Sequence, residues 1–394
     1  MLNTPFSPWP SFTEQEIDAV SSVLRSNKVN YWTGQEGKAF EMEFAEFCDS
    51  KYAVAVANGT LALDLALKVL DIKVGDEVIV TSRTFIASIS SIINAGATPI
   101  FADVELDSQN ISAQTITEVI STKTKAILCV HLAGWPCEMD DIMDLATSKN
   151  LFVIEDCAQA HGTKYKGKPV GSIGHIGAWS FCQDKIMTTG GEGGMLTTNN
   201  ELLWRSAWAY KDHGKSYAAV YETQHPDGYR WLHETFGTNW RLTEMQSAIG
   251  RIQLTRMPDW KRSRTDNANR IRTTCQKYHW LIVPKIPEYV EHAYYKCYIQ
   301  IDMDKLPTDY SRDYIINEIV KKGVPCFSGS CSEVYKEKAF NGTQLRPNSP
   351  LKNAQLLGEN SLMFLVHPTL TCEEIDKTCR ILTDVFDKIE QMTK

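Results

Sequence analysis

Between Tyr52 and Glu155, the chain alternates short apolar runs with longer segments whose apolar residues recur at helical spacing. Near-continuous apolar runs are typical of strands that are buried on both faces. The predicted strands are Ala53–Ala57, Glu77–Thr81, Thr98–Ala102, Lys125–His131 and Leu151–Glu155. The helices predicted between them are Leu61–Leu70, Thr84–Asn94, Gln114–Ser121 and Met139–Ser148. This alternation predicts an α/β fold with a mainly parallel sheet covered by helices.

The segments on either side of this region add further elements. Thr13 and Glu16 have capping-box spacing at the start of a helix. A second helix is predicted at Glu36–Cys48 from the spacing of its aromatic residues. Further on, a strand is predicted at Ile176–Cys182 and another at Met195–Thr198, with a glycine-rich loop between them.

The pattern changes towards the C-terminus. An amphipathic helix is predicted at Leu242–Met257, and several arginines at helical spacing within Arg256–Thr274 are expected on a surface or an interface. Tyr294–Ile299 predicts a strand of a smaller α+β domain. We therefore expect a large domain with an N-terminal arm at residues 1–255 and a smaller C-terminal α+β domain at residues 256–394.

Composition and charge narrow the function classes. The 394 residues are 43% hydrophobic, which suffices for a large core. The net charge is −7, and no basic stretch with interleaved aromatic residues is present, so nucleic acid is not the expected partner. No apolar run reaches the roughly 18 residues that span a bilayer, and the N-terminus lacks the pattern of a signal peptide. A cytoplasmic location without membrane association is expected.

The eleven cysteines are scattered, and several lie in apolar runs. No two of them form a CxxC pair, and those that are close in sequence lack histidine partners at metal-ligand spacing. Reduced cysteines in the core are expected, and no metal site is predicted.

Three groups of residues lie directly after predicted strands, where α/β sheets bind ligands. Asn58, Gly59 and Thr60 lead into a helix whose N-terminus favours an anion, although the same residues fit a simple helix cap. Asp156 ends a buried strand, where a carboxylate needs a cation or a strong donor unless it caps a helix. Lys185 follows a buried strand, and it lies either at the wall of a site or in a flexible, solvated hairpin.

Taken together, these groups suit pyridoxal 5'-phosphate. The helix N-terminus would bind the phosphate, and Phe85 is a candidate to pack on the ring. A buried Asp156 would keep the pyridine nitrogen protonated, and Lys185 would form a Schiff base with the aldehyde. Dinucleotide-dependent oxidoreduction is disfavoured, because no GxGxxG follows the first strand.

Four runs carry a resemblance to a known family: VANGTLALDLAL, IEDCAQAHG, SFCQDKIMTTGGEGGMLTTNN and GTNWRLTEMQSAIGRIQL. Together they resemble the DegT/DnrJ/EryC1/StrS family of nucleotide-sugar aminotransferases, over most of the chain from about Pro10 to Leu254. The resemblance implies the type I pyridoxal-phosphate fold, with a seven-stranded sheet in the large domain. It also implies a homodimer with active sites shared between the subunits.

The resemblance also implies roles for individual residues. Lys185 matches the Schiff-base lysine, Asp156 the partner of the pyridine nitrogen, and Gln159 the residue near the ring hydroxyl. Gly59, Thr60 and Ser180 match phosphate ligands. Phe85 matches the stacking aromatic residue, and Asn239 an asparagine that reaches the cofactor phosphate of the partner subunit.

The expected reaction is transamination, because a dehydratase branch of the family carries histidine where this chain has Lys185. By family likeness, L-glutamate would be the amino donor, leaving 2-oxoglutarate and pyridoxamine phosphate. A keto-sugar nucleotide would then accept the amine, with Lys185 moving the proton as a general acid and base.

The acceptor expected first is C4 of a UDP-linked 4-keto-6-deoxy-N-acetylhexosamine, for bacterial surface glycans such as the O-antigen. The QDK and GSCSEVY segments carry this likeness. C3 or C4 of a dTDP-linked keto-6-deoxyhexose is the alternative, followed by an inosose or a carbocyclic substrate. A non-catalytic binding protein of this fold is an alternative of another class. The loop Ser328–Tyr335 is expected to reach the substrate pocket, or else to be an ordinary surface loop.

Overall fold

The computed structural model describes residues 6–331 and 333–391. The strands are β1 Tyr52–Val56, β2 Glu77–Thr81, β3 Thr98–Ala102, β4 Thr124–Val130, β5 Phe152–Asp156, β6 Lys164–Tyr165, β7 Lys168–Pro169, β8 Ile176–Ser180, β9 Gly194–Thr198, β10 Leu281–Ile282, β11 Val290–Glu291, β12 Cys297–Ile301, β13 Cys326–Phe327 and β14 Ser361–Phe364. The α-helices are α1 Glu14–Ser26, α2 Glu36–Phe47, α3 Gly59–Val69, α4 Ile86–Asn94, α5 Ala113–Thr117, α6 Met139–Lys149, α7 Glu201–Lys211, α8 Tyr217–Tyr221, α9 Glu244–Cys275, α10 Arg312–Lys321, α11 Lys352–Asn360 and α12 Cys372–Gln391.

A seven-stranded sheet forms the centre of the fold, in the order β1-β9-β8-β5-β4-β2-β3. The five strands from β8 to β3 in this order pair in parallel, and β9 pairs antiparallel with both β1 and β8. The predicted α/β fold with a mainly parallel seven-stranded sheet is confirmed. The predicted strands of this region agree with the observed ones to within a residue or two at each end.

Helices cover both faces of the sheet, as predicted. Along β4, Leu128 packs in an apolar cluster with α3 and α4, whereas its neighbour Ile127 packs in a second cluster with α6. Successive side chains of a strand point to opposite faces, so a fully apolar run is required where both faces are covered. The carboxyl ends of the parallel strands lie at one edge of the sheet.

A second, antiparallel sheet has the order β10-β12-β14-β13 and packs with α9, α10 and α12 around its own apolar cluster. Towards the C-terminus, the helix α9 is one continuous element of 32 residues, where the sequence predicted two segments. It passes through Pro258, and Met257 and Trp260 on either side are buried. This packing holds the helix together although proline removes one of its hydrogen bonds. The expected domain boundary at 255 lies inside α9, and the two-domain division remains a prediction.

One arginine differs from the expectation of a surface or interface position. Arg264 of α9 is 1% exposed, and its guanidinium group packs over the ring of Trp9 at 5.0 Å. Helical spacing alone does not distinguish an outward arginine from one that an aromatic ring covers.

No helix in the described part of the chain combines the length and the apolar character that crossing a membrane requires.

Candidate active site

The start of α3 forms one wall of the site. The Asn58 side chain caps the helix by accepting a hydrogen bond from the Leu61 amide at 3.0 Å. A β-carbon on Gly59 would lie 2.4 Å from the β-carbon of Ser180, at the end of β8, so only glycine permits this close approach. The first amides of a helix have no intrahelical partner. Asn58 already uses the Leu61 amide, so the amides of Gly59 and Thr60 are the ones that remain at this helix start to bind an anion.

Asp156, the last residue of β5, is buried behind this wall. Its Oδ1 accepts a hydrogen bond from the Ala158 amide at 3.1 Å, and its Oδ2 accepts one from Ser88 Oγ at 2.9 Å. The Ser88 hydroxyl is in turn 2.8 Å from Thr84 Oγ1. Burial raises the pKa of the Asp156 carboxyl above its ordinary value, although these two donors oppose the effect. A cationic partner in the cavity would favour the ionised form of this carboxyl.

Lys185 lies in the loop between β8 and β9, and its side chain is only 16% exposed. Its Nζ is 3.6 Å from Asp184 Oδ1 and 5.3 Å from the ring centroid of Tyr295. The Tyr295 hydroxyl donates to Asp184 Oδ2 at 2.5 Å. Lys185 is therefore held by one carboxylate that is already shared with a tyrosine.

Gln159 connects the sheet to the Ser328–Tyr335 loop. Its Oε1 accepts a hydrogen bond from the Ala133 amide at 2.8 Å, and its Nε2 lies 3.5 Å from Cys331 Sγ. Burial raises the pKa of the Cys331 thiol, so this cysteine is a neutral group at the cavity wall. The loop thus reaches the cavity, which was one of its two expected positions.

One cavity of about 720 Å³ brings most of the predicted residues together. It is lined by seven of the eight: Gly59, Thr60, Phe85, Asp156, Gln159, Ser180 and Lys185. Phe85 lines it while remaining 65% exposed. Asn239 is not among the lining residues of this chain; it is exposed and pairs through its backbone with Asp212.

Sequence reasoning assigned no role to several lining residues, namely Ser88, Asp184 and Tyr295. Asp184 is the residue before Lys185, and this adjacency is a signal from which the sequence alone could have identified it. Ser88 lies one helical turn beyond Thr84, on the first turn of α4. Tyr295 is 111 residues from Asp184 in the chain, and no sequence pattern links the two.

Glu155 lies next to Asp156 but belongs to an internal hydrogen-bond network. It accepts from three amides, those of Gly171, Ile173 and Gly174, and it lies 3.0 Å from His131 Nε2. Cys157 completes a cluster of three buried metal-ligand types with His131 and Glu155. Burial raises the pKa of the Cys157 thiol well above its ordinary value, and the Cys137 amide donates to His131 Nδ1. These donors and acceptors are therefore used within the protein.

The cavity fits pyridoxal phosphate in its donor set. The α3 amides with the Thr60 and Ser180 hydroxyls suit a phosphate, and the buried Asp156 carboxylate suits a protonated ring nitrogen. Lys185 supplies an amine in the same cavity, and Phe85 an aromatic face.

Comparison with known proteins agrees with this geometry. The model of the DegT/DnrJ/EryC1/StrS aminotransferase family matches residues 10–383. The GDP-perosamine synthase of Escherichia coli O157:H7 is 44% identical over 254 residues, which are 64% of this chain and 66% of that protein, just under two thirds. The spore coat polysaccharide biosynthesis protein SpsC of Bacillus subtilis is 33% identical over 383 residues, 95% of each chain.

Solved structures show the same fold. The aminotransferase from Psychrobacter cryohalolentis superposes with a TM-score of 0.97 at 65% identity, covering 98% of this chain and 100% of that one. DesV of S. venezuelae, in complex with a ketimine intermediate, superposes with a TM-score of 0.83 at 28% identity over 94% of each chain. The predicted family, type I fold and cofactor are confirmed, and an enzyme is favoured over a non-catalytic binding protein.

The chain therefore belongs to the DegT/DnrJ/EryC1/StrS aminotransferase family, and it is a pyridoxal-phosphate-dependent sugar aminotransferase.

Proposed function

We propose that this enzyme transfers the amino group of L-glutamate to C4 of a nucleotide-linked 4-keto-6-deoxy sugar, with a UDP-linked N-acetylhexosamine as the first candidate. The observation that carries the proposal is the convergence of the Lys185 amine, the buried Asp156 carboxylate and the N-terminus of α3 on one cavity. The product would serve the synthesis of a bacterial surface glycan.

We assign the residues that hold the cofactor as follows. The α3 amides, Thr60 and Ser180 would bind its phosphate, Asp156 would pair with its ring nitrogen, and Gln159 would serve its ring hydroxyl. When bound, pyridoxal phosphate supplies an electron sink for the carbon that loses a proton. Asp156 contributes by stabilising a positive charge on the ring nitrogen, because a buried carboxylate favours an opposite charge strongly.

Lys185 is the proposed general acid and base. Its Nζ is the amine in the cavity, and it would move a proton from the donor's α-carbon to C4′ of the cofactor, and from C4′ to the keto carbon of the acceptor in the second half-reaction. Asp184 and Tyr295 hold this amine at the cavity wall, at 3.6 Å from the carboxylate and 5.3 Å from the ring centroid. These two residues orient the amine between proton transfers.

The Ser328–Tyr335 loop is the proposed contact for the acceptor sugar. Ser330 and Cys331 line the same cavity as Lys185. Tyr298 fixes the loop, because its hydroxyl accepts a hydrogen bond from the Ser330 amide at 2.7 Å and lies 3.0 Å from Ser330 Oγ. A hydroxyl and a thiol on a fixed loop suit the recognition of a small polar sugar.

The names of relatives bear on the nucleotide of the acceptor. Relatives are named as GDP-perosamine synthases in Escherichia coli O157:H7, Vibrio cholerae and Caulobacter vibrioides, and others as transaminases that form dTDP-linked amino sugars. None of these names includes a UDP sugar. A GDP-linked keto sugar is therefore the second candidate, although sequence reasoning did not consider it, and a dTDP-linked sugar is the third.

We further propose that the active unit is a homodimer. Asn239 follows a segment with exposed aromatic side chains: Tyr229 is 86% exposed, Trp231 83%, and Phe236 fully. Large exposed aromatic residues in one segment are typical of an interface. A second copy that covers this segment would bring Asn239 to the other subunit's cofactor.

A panel of acceptors tests the function. UDP-, GDP- and dTDP-linked 4-keto-6-deoxy sugars are each incubated with the loaded enzyme and L-glutamate, and products are identified by mass and NMR. We expect one amine at C4 and one equivalent of 2-oxoglutarate.

In Lys185→Ala, the cofactor should bind without covalent attachment and turnover should stop. Transamination by Lys185→Ala at the wild-type rate would refute the assignment.

A further inference from the structure

We propose that Trp9 is a positioning residue for Lys185. The indole Nε1 of Trp9 donates a hydrogen bond of 2.7 Å to the main-chain carbonyl oxygen of Lys185. Lys185 lies in a bend outside every strand and helix of the described chain, so no regular element fixes that carbonyl. A residue 176 positions earlier in the chain therefore holds the backbone of the reactive lysine.

The ring of Trp9 is itself fixed by its neighbours. Trp260 of α9 packs against it nearly perpendicularly, with ring centroids 5.1 Å apart. The His367 ring is stacked at 6.1 Å. The Arg264 guanidinium lies over the ring at 5.0 Å. A donor on so constrained a ring points in one direction only, which is what positioning requires.

Arg264 depends on Trp9 in return. The guanidinium is buried and has no carboxylate partner among the described residues; its Nη1 makes only long contacts to the Tyr294 and Tyr295 carbonyls, at 3.4 and 3.5 Å. Burial lowers the pKa of Arg264 to about 9. The aromatic face of Trp9 therefore stabilises a cation that lies directly behind Tyr295 of the site.

The segment around Trp9 is anchored to the C-terminal part of the chain. The Pro8 carbonyl accepts a hydrogen bond from Thr369 Oγ1 at 2.7 Å, and the Ser7 amide donates to Glu374 Oε1 at 2.5 Å. The N-terminal segment thus joins the loop of Lys185 to the region that begins α12. The position of this segment next to Lys185 is therefore fixed by contacts that lie outside the cavity.

The indole N–H and the ring face have separate tasks, and one substitution separates them. Trp9→Phe keeps an aromatic face for Arg264 but removes the donor to the Lys185 carbonyl. Trp280→Phe is the matched control, because Trp280 Nε1 donates to Glu390 Oε2 at 3.0 Å, in the cluster around α12. Both variants lose one indole hydrogen bond, and only one of those bonds reaches the reactive lysine.

The experiment measures attachment of pyridoxal phosphate to cofactor-free protein. Borohydride is added at intervals, and the fraction fixed at position 185 is read by peptide mass spectrometry; thermal midpoints of the cofactor-free proteins are recorded in parallel. We expect Trp9→Phe to slow attachment about fivefold, the value of one ordinary hydrogen bond. Trp280→Phe should attach at the wild-type rate. Thr369→Val, which removes the Pro8 anchor, should slow attachment less, and it serves as the test if Trp9→Phe does not fold.

Two results would overturn the proposal. In the first, Trp9→Phe attaches the cofactor at the wild-type rate. In the second, attachment slows equally in Trp9→Phe and Trp280→Phe, in proportion to the thermal stability that each variant loses. The second result would make Trp9 a packing residue only. The inference depends on the proposed role of Lys185. If borohydride fixes no cofactor at position 185 of the wild-type protein, that role is refuted. If the wild-type protein is fixed there and Trp9→Phe attaches the cofactor at the same rate, only the present inference is refuted.

Discussion

At the scale of the residue, Asp156 is the clearest case in which function opposes stability. We expect Asp156→Asn to lower turnover by about a hundredfold or more, the range for removing one preorganised electrostatic contact to a transition state. The asparagine oxygen can still accept from the Ala158 amide, and its NH2 group can donate to Ser88 Oγ once that hydroxyl turns towards Thr84, so the fold should be kept. Steady-state kinetics of the variant loaded with cofactor measure the turnover, and circular dichroism measures whether the fold is kept. Wild-type turnover would mean that Asp156 does not face the ring nitrogen.

The same variant has a pH signature in the cofactor-free protein. Burial raises the folded-state pKa of Asp156 above the ordinary value of 3.8. The unfolded chain therefore loses this proton first as the pH rises, and the contribution of Asp156 to stability falls from about that pH up to its folded-state pKa. Asp156→Asn removes this loss. Urea unfolding at pH 4.5 and 7.5 should show the variant gaining stability over wild type at the higher pH; a gain that shrinks with rising pH would contradict the raised pKa.

The site residues that follow strands could be predicted from the sequence, whereas the distant residues that contact and support them could not. Asp156 and Lys185 stand directly after apolar runs, at the sheet edge where α/β folds bind ligands. Tyr295 and Trp9 reach the site through contacts across 111 and 176 residues of chain. The periodicity of a local segment does not predict contacts between residues so far apart in the chain. The burial of Arg264 escaped prediction for the same reason, since Trp9 covers it.

At the scale of the element, the approach of α3 to the end of β8 shapes the phosphate end of the cavity. A methyl group on Gly59 would lie 2.4 Å from the Ser180 β-carbon, so helix or strand must move. Overpacking of this kind costs about 1–3 kcal/mol. We expect Gly59→Ala to weaken pyridoxal phosphate binding about tenfold or more, as measured by equilibrium dialysis.

Gly75→Ala is the control for Gly59→Ala. Gly75 has a positive φ of 94°, and nothing lies within 4 Å of an added β-carbon. This substitution should cost about 1 kcal/mol of stability, because of the left-handed backbone conformation. It should leave cofactor affinity unchanged. Equal loss of affinity in both variants would show that Gly59→Ala acts through general stability and not through the cavity.

The loop Ser328–Tyr335 is the second element with a testable role. Tyr298→Phe removes the acceptor for the Ser330 amide, and the loop should lose its fixed position. We expect the KM for the keto sugar to rise about fivefold, the value of one hydrogen bond, with the glutamate half-reaction unchanged. Single-turnover absorbance measurements separate the two halves. Tyr278→Phe, which loses a hydroxyl bond to Asp387, is the control, and a slowed glutamate half-reaction in Tyr298→Phe would contradict the assignment.

The strands and helices predicted between Tyr52 and Glu155 lie within a few residues of the observed ones, because their signals are local. The antiparallel β9, which lies between β1 and β8, was not placed by the sequence pattern, since strand order depends on contacts between distant segments. The continuity of α9 was also missed. A proline normally ends a helical pattern, and only the packing of Met257 and Trp260 carries the helix past it.

At the scale of the whole molecule, seven predicted site residues meet in one cavity of a single chain, and Asn239 stays outside it. Asn239 is exposed and lies just after a segment of exposed aromatic side chains. This arrangement is what a shared site requires, because a residue that serves the partner subunit must point away from its own cavity. Sequence-based reasoning reached Asn239 only through family likeness.

A mixed dimer tests this sharing. Asn239→Ala alone should weaken cofactor binding, and Lys185→Ala alone should be inactive. In a dimer of one Lys185→Ala and one Asn239→Ala subunit, one site combines the intact Lys185 of one subunit with the intact Asn239 of the other. Random exchange makes half of the dimers mixed, so about a quarter of all sites should be wild type.

The readout is activity after the two inactive preparations are unfolded together and refolded, at a cofactor concentration that saturates only wild-type sites. Activity near a quarter of the wild-type value indicates that Asn239 serves the partner's site. If Asn239 serves its own subunit, the Lys185→Ala subunits stay inactive and the Asn239→Ala subunits keep their defect, so mixing adds nothing. A double variant, Lys185→Ala with Asn239→Ala, refolded with wild type is the control. Its mixed dimers have no intact site if the site is shared, and one intact site if it is not.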